Sequence, residues 1–402
     1  MNSVIPAHIP SELVVDFDMT TVPDGQGDMQ IAWRRAIGDK PLVYTPHNGG
    51  FWIATQADDI EEFYPDVTRL SNADIFIPAH EGERVLPGEL DPPRHSELRK
   101  AILSRLSAST IKSIEPRIRE YAVELIETVR PRGGCEFISE FALSLPISMF
   151  LELAGMPQSD KVALQKMSEQ ISRGLTAEIK NQAHHDLRAY LAGWIEKRRV
   201  EPSDDLISHI LAYRVNDQPL TLPEVEGLAM GVFLGGLDTI ASSLGFIGRF
   251  LAENPEARDA IRTTEGAKNH VVDELLRRFS IVSLGRVVAQ DFEFKGVMLK
   301  KGDRVVLSTF LHGLDPKRYA NPETVDFSRR GAIMAFGRGA HGCPGQPLAR
   351  AELRIFLEEW LNRIPDFEID PDKSYRIATG QVLAFTSLPL RWSPGVARAE
   401  AA

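Results

Sequence analysis

The chain has 402 residues, 43% of them hydrophobic, with a net charge of -10 and a pI of about 5.6. That is enough apolar material for a large core, and the acidic balance disfavours a nucleic-acid partner, whose binding faces are basic. Two cysteines, Cys135 and Cys343, exclude a disulfide framework and suit a reducing compartment.

The N-terminal stretch MNSVIPAHIPSELVVDFD has no basic n-region and no continuous apolar h-region, so no signal peptide is expected. Short strand patterns follow at PLVYT and GFWIAT, then a loop over 72–93 that ends in Asp91-Pro92-Pro93. From about 94 to 279 helix patterns dominate: HSELRKAILSRL, IKSIEPRIREYAVELIETV, HHDLRAYLAGWIEKRR and DDLISHILAYR. Asn254-Pro255-Glu256 reads as an N-cap with proline at N1. Strands return at GRVVAQDFEF and DRVVLSTF, one helix follows Cys343, and the chain ends on the strand-like LAFTSLPLRW. The expected fold class is mainly α with small β-sheets, in one domain over 1–402. The most apolar run, 227–237, is shorter than the ~20 residues a bilayer crossing needs, so a cytoplasmic protein with no membrane partner is expected.

Three local patterns carry chemistry. In LTLPEVEGLAMGVFLGGLDTIASSLGFIGRFLAEN, Thr221 caps, Pro223 follows, and Glu224 stands at capping-box spacing. The helix it starts is predicted to run to about Ala252, apolar on all sides over 227–237, as for a helix through the core. Gly235-Gly236 in mid-helix costs about 1 kcal/mol per glycine relative to alanine. Asp238-Thr239 then puts an ionisable group in an apolar stretch. Either Asp238 pairs with an arginine and the glycines allow close packing, or the helix is locally distorted where a ligand meets bare backbone.

In HVVDELLRRF, Glu274 and Arg277 share a helix face at i, i+3, flanked by apolar residues; Arg329 could join them. In FGRGAHGCPG, at 336–345, Cys343 stands just ahead of the helix QPLARAELRIFLEEWL. It is an inert thiol, a zinc ligand with His341, or a thiolate. The nearby helix N-terminus predicts a lowered thiol pKa. Zinc wants four paired N/S ligands, which are missing. A thiolate could be a nucleophile with His341 as its base, or an axial iron ligand, and the loop alone leaves these two open.

Together the three patterns resemble the cytochrome P450 superfamily over essentially the whole chain. Phe336, Gly339, Cys343 and Gly345 match its cysteine signature. Gly235, Gly236, Asp238 and Thr239 match its oxygen-activation motif, and Glu274, Arg277 and Arg329 its Glu-x-x-Arg network. FLGGLDTIASSLGF, ELLRRFSIVSLGR, GVMLKKGD, VDFSR and EEWLNRIPDFEI are most like the bacterial camphor-hydroxylating branch.

The resemblance implies haem b (iron protoporphyrin IX) with Cys343 as proximal ligand and Phe336 packed near the sulfur. Arg99, His95, Arg286 and His341 would serve the propionates, and Asp238 and Thr239 would deliver protons to bound O2. Phe76, Leu234, Val282, Gln381 and Val382 fall where that branch contacts its substrate. The loop segment AHEGERVLPGEL has no tyrosine where the camphor enzyme uses one. The implied substrate is therefore a small hydrophobic terpenoid or norisoprenoid held mainly by shape. Leu284 stands where an acidic residue is expected, and Pro344 where leucine is commoner. Without a fused flavin or nicotinamide domain, electrons would come from an iron–sulfur ferredoxin with a separate reductase. Arg94, Lys100, Arg105, Arg338, Arg350 and Arg354 are either a local basic dock for it or a scatter of solvated charges. A peroxide-driven haem-thiolate enzyme would not need Asp238-Thr239, and a ligand carrier would not need Cys343, Thr239 and Glu274 together.

Overall fold

The computed structural model describes residues 4–22, 27–79, 84–173 and 176–394. It is mainly helical, with small sheets at its margins. The largest sheet takes β1 (Leu42–Thr45), β2 (Phe51–Ala54), β3 (Leu70–Ser71), β4 (Ser283–Val288) and β5 (Arg304–Ser308), in the spatial order β1-β2-β5-β4-β3. β5 runs parallel to β2, with Val306 opposite Ile53, and antiparallel to β4, with Val305 opposite Arg286. This pairing carries β4, and Arg286 with it, from the C-terminal half into a sheet begun near residue 42.

The predicted central helix is continuous over Leu222–Glu253 and starts on the expected capping box: Thr221 N–H donates to Glu224 Oε2 at 2.9 Å. The alternative of a local distortion at Gly235-Gly236 is not seen: the backbone stays helical there, with Thr239 Oγ1 donating to the Gly235 carbonyl at 2.8 Å. By length and composition alone this helix could cross a membrane, its apolar window exceeding the 227–237 run, and 56% of that window is buried in the protein. Its second half packs tightly: a Cβ on Gly248 would stand 2.9 Å from the Phe137 ring. Asn254 stands at the expected N-cap of the next helix, Pro255–Ala260, with Pro255 behind it, though its side-chain amide donates back to the Phe250 carbonyl at 2.7 Å instead of making a capping bond.

The helix after the cysteine, Gln346–Arg363, packs along Ala108–Val129, whose start is capped by Ser107. Phe137, Phe141, Phe356 and Trp360, all fully buried, stack around that contact, with the Trp360 ring 5.0 Å from both Phe137 and Phe141. Burying one such side chain is worth roughly 1.5–3 kcal/mol, so this cluster anchors the scaffold under the cysteine loop. The loop therefore hangs between a rigid helix pair and the central helix.

Candidate active site

The cysteine loop is shaped by two glycines that no other residue could replace without strain. Gly337 and Gly339 have φ of +66° and +71°, in the left-handed region. Both also lie against the chain: a Cβ on Gly337 would be 2.9 Å from the Tyr64 ring, and one on Gly339 2.8 Å from Pro65. The loop closes when Cys343 N–H donates to the Phe336 carbonyl at 2.8 Å. The Arg350 guanidinium lies over the Phe336 ring at 4.7 Å, covering its outer face.

Cys343 is exposed, but what it opens onto is an internal cavity of about 350 Å³. Burial pushes its thiol pKa up, opposed by the backbone N–H groups of Gly345 and Gln346 and by the charges of Arg99 and Arg350. The lowering expected from the helix N-terminus is thus present but outweighed by desolvation. His341 is a poor base for a nucleophile: its ring stacks on His95, centroids 3.8 Å apart, and its pKa is driven down to about 3 by burial and by the neighbouring cations.

Across the cavity from the sulfur loop stand Gly235, Gly236 and Thr239 of the central helix. A Cβ on either glycine would meet nothing within 4 Å. These glycines are therefore not there for helix packing; they leave bare backbone facing open space. Thr239 lines the cavity, and Ser243 Oγ one turn later donates to the Thr239 carbonyl at 2.9 Å. Asp238 lies half-buried beside Thr239, outside the described lining.

One side of the site collects basic groups, with Asp91 as the acid whose charge reaches them. Arg286 is 1% exposed, yet its Nε and Nη2 have no hydrogen-bond partner; only Nη1 is used, on the Gly285 carbonyl at 2.8 Å. Its guanidinium lies over Tyr64 at 5.2 Å, and burial lowers its pKa. His95 Nδ1 and His341 Nε2 are also buried without partners. Burial, with the nearby Arg99 charge, lowers the His95 pKa to about 4. Arg99 itself donates to the Gly342 carbonyl. Unpaired buried polar groups are costly, and three basic side chains on the cavity wall, His95, Arg99 and His341, with Arg286 behind Tyr64, suit an anionic ligand. A flat group with two carboxylates at its rim and a metal at its centre would fit this donor set, and Cys343 and the Gly235-Gly236 backbone line the same cavity. Leu284 adds an apolar wall where an acidic residue was expected.

Glu274, Arg277 and Arg329 come together away from the cavity. Arg277 Nε and Nη2 each donate to the Glu274 carboxylate at 2.8 Å, with both side chains 2% exposed. Arg329 Nε approaches Glu274 Oε1 at 3.3 Å, and Asp326 N–H donates to the same oxygen at 2.8 Å. The remaining Arg277 donors go to the carbonyls of Gly313, Pro322 and Thr324, at 2.6 to 2.8 Å. The trio cross-links the helix Asn269–Arg278 to the segment leading into the cysteine loop.

Of the expected substrate contacts, Val282 lines the cavity; Phe76, Leu234, Gln381 and Val382 are not among the described lining residues. Val382 stands behind Val282 in a β-bridge. Gln381 is occupied as a clamp: it accepts from Ile77 N–H at 2.9 Å and donates to the carbonyls of Ile75 and Ser283. In the stretch AHEGERVLPGEL, residues 80–83 lie outside the described residues, and residues 85–88 roof the cavity.

The expected basic dock is largely neutralised. Arg94 pairs with Glu97 and Glu224, Arg105 with Asp204, Arg338 with Glu61, Arg350 with Asp273, and Arg354 with Glu115 and Glu358. Sequence proximity showed six cations but not acids contributed from distant segments.

Many lining residues were not anticipated, Leu86, Gly231 and Glu352 among them. Glu352, on the helix after the cysteine, is 1% exposed with both carboxyl oxygens unpartnered, and burial raises its pKa to about 8. A lone glutamate on the apolar face of that helix was the available signal.

Comparison with known proteins agrees with this geometry. The family model "Cytochrome P450" matches residues 268–392. A probable cytochrome P450 127A1 from Sinorhizobium fredii is 31% identical over 402 residues, 97% of each chain. The crystal structure of CYP101J2 superposes with a TM-score of 0.89 at 36% identity, covering 97% of this chain and all of that one. The crystal structure of CYP101C1 gives 0.89 at 37% identity with the same coverage.

Proposed function

Because the chain belongs to the cytochrome P450 family and is a monooxygenase with haem b as its cofactor, we propose that it hydroxylates a small hydrophobic substrate in the cavity between Cys343 and the central helix. The observation that carries this reading is the pairing across that cavity of a thiol set in a glycine-framed loop with the bare backbone of Gly235-Gly236. In this assignment Cys343 Sγ is the iron ligand, and Phe336 with the overlying Arg350 keeps water from the sulfur's outer side. Coordination to iron deprotonates a thiol outright, which answers the raised pKa of the free side chain. Arg286, His95, Arg99 and His341 hold the two propionates, and each supplies a donor that is otherwise buried unmet or spent on a neighbouring carbonyl.

When bound, thiolate-ligated haem activates O2 so that one oxygen atom enters a C–H bond and the other leaves as water. Thr239 Oγ1 holds its proton on the Gly235 carbonyl at 2.8 Å and lines the cavity, so rotation about χ1 re-aims that proton into the site. Asp238, on the same turn, resupplies it. The apolar walls, Val282, Leu284, Ile240 and Phe150 among them, exclude water and give a substrate few polar handles, as suits a terpenoid or norisoprenoid bound by shape.

Electrons are assigned to a separate ferredoxin and reductase in the cytoplasm. With the arginines near the cysteine loop already paired, docking there should depend only weakly on salt.

Reduction under carbon monoxide tests the ligand: the wild type should show the thiolate-type band and Cys343→Ala should lose it entirely. A band that survives in the variant sinks the assignment. Thr239→Ala should keep the band and substrate affinity but release most reducing equivalents as hydrogen peroxide; tight coupling in that variant refutes the proton role.

A further inference from the structure

The roof of the cavity rests on the central helix in an unusual way. Gly227, Gly231 and Gly235 are spaced four residues apart, on one face of the helix. Only the first two are covered. A Cβ on Gly227 would stand 2.9 Å from the Leu86 side chain, and one on Gly231 would overlap the Leu86 backbone carbonyl oxygen. At Gly235 the same position is open to the cavity that Gly231 also lines. The chain at Leu86 is thus laid directly on the helix at the edge of the ligand space.

The segment doing this is stiff. Val85 N–H donates to Glu89 Oε2 at 2.6 Å, Glu89 N–H returns to the Val85 carbonyl at 3.0 Å, and Leu90 N–H donates to the Pro87 carbonyl at 3.1 Å. Glu89 is 1% exposed, so this turn is closed on a buried carboxylate. Asp91, just after it, holds Asn72 N–H at 2.9 Å. A stiff turn seated backbone-on-backbone has one height, and Val85, Leu86, Pro87 and Gly88 all face the cavity from it.

We infer that Gly231 is a specificity-determining residue: by letting the Leu86 carbonyl rest on the central helix it fixes the height of the cavity roof and restricts the site to compact apolar ligands. The contact is with backbone, which cannot rotate away as a side chain can. Any residue larger than glycine at 231 must lift the whole turn at 85–90, whereas a methyl at 227 meets a leucine side chain that can yield. The inference rests on the monooxygenase reading only for its spectroscopic probe.

The test is Gly231→Ala in the haem-loaded full-length protein, titrated with imidazole, 4-phenylimidazole and a biphenylyl-imidazole, read as the shift of the haem spectrum. Hydrogen exchange at the amides of Val85 and Glu89 is followed in parallel. The variant should bind the longest probe about tenfold more tightly relative to imidazole, and exchange at both amides should speed up by about tenfold. General destabilisation would weaken all three probes together and leave their ratio unchanged. Gly227→Ala gives a graded control, in the same direction and about threefold, which keeps the question answerable if Gly231→Ala does not accumulate. An unchanged probe ratio in whichever variant folds overturns the inference, with or without faster exchange. A wild-type protein that lacks the thiolate-type carbon monoxide band overturns the functional reading instead; exchange at residues 85 and 89 still reports on the seat.

Discussion

Two buried charged regions lie within the same C-terminal half and are built on opposite terms. In the Glu274–Arg277 pair every arginine donor meets an acceptor, Arg277 alone reaching one carboxylate and three carbonyls, with Arg329 held beside them as an ion pair. Around Arg286, an arginine just as buried leaves two of its nitrogens unmet, beside two histidines with unmet nitrogens. Burial by itself therefore says nothing about purpose. Closed hydrogen-bonding marks a part that holds the fold, and open hydrogen-bonding marks a part completed by something else.

Removing one member from each region should separate them. Arg277→Ala leaves Glu274 buried with only Arg329 and the Asp326 N–H beside it, and should cost about 3–5 kcal/mol with or without haem, measured by denaturant unfolding. A loss seen only in the haem-loaded protein would erase the distinction. Glu352→Gln removes an unmet carboxyl. Because the folded pKa is raised to about 8, the unfolded chain loses this proton from about pH 4.5 while the folded chain keeps it. Wild-type stability should therefore fall from pH 4.5 to 8 by about 1.4 kcal/mol per unit at steepest, and the variant should lack that slope. Identical pH profiles would show that Glu352 is solvated.

Arg286→Met should act with opposite signs, raising the stability of the haem-free protein by about 1 kcal/mol while weakening haem retention by about tenfold. If both fall, Arg286 belongs with Arg277. The smallest effect concerns His95 and His341, whose pKa values are held near 4 and 3. Their unfolded counterparts take up protons near pH 6.5, so haem-free stability should decline as pH falls from 6.5 toward 3. Carboxylates bound beside the rings should lift both pKa values and blunt that decline; ring-proton NMR titrations with and without haem would check it.

Much of the frame was legible in the sequence because it depends on local chemistry. The capping box at Thr221–Glu224, the helix after Cys343 and the Glu274–Arg277 spacing are all short-range patterns. What escaped depends on contacts between distant segments. Gln381 looked like a polar wall residue but is taken up by the carbonyls of Ile75 and Ser283. Arg105 and Arg350 looked free until Asp204 and Asp273 arrived beside them. Gly231 drew no notice in the sequence, because the Leu86 carbonyl that would meet a Cβ there comes from a distant segment. The thiol at Cys343 went the other way, since the helix N-terminus was foreseen and the depth of the cavity was not.

The support beneath Gly337 and Gly339 has a consequence for how the protein is made. The residues against them, Tyr64 and Pro65, leave the ribosome long before the cysteine loop does, and Arg99, which reaches Gly342, also precedes it. The segment with the most recognisable motifs, 268–392, contains neither, and it lacks the central helix as well. A nascent chain therefore cannot shape its cysteine loop piecemeal. Cofactor capture is a late event, possible only once both ends of the polypeptide have met, and translation truncated anywhere before the final helix should yield a colourless product.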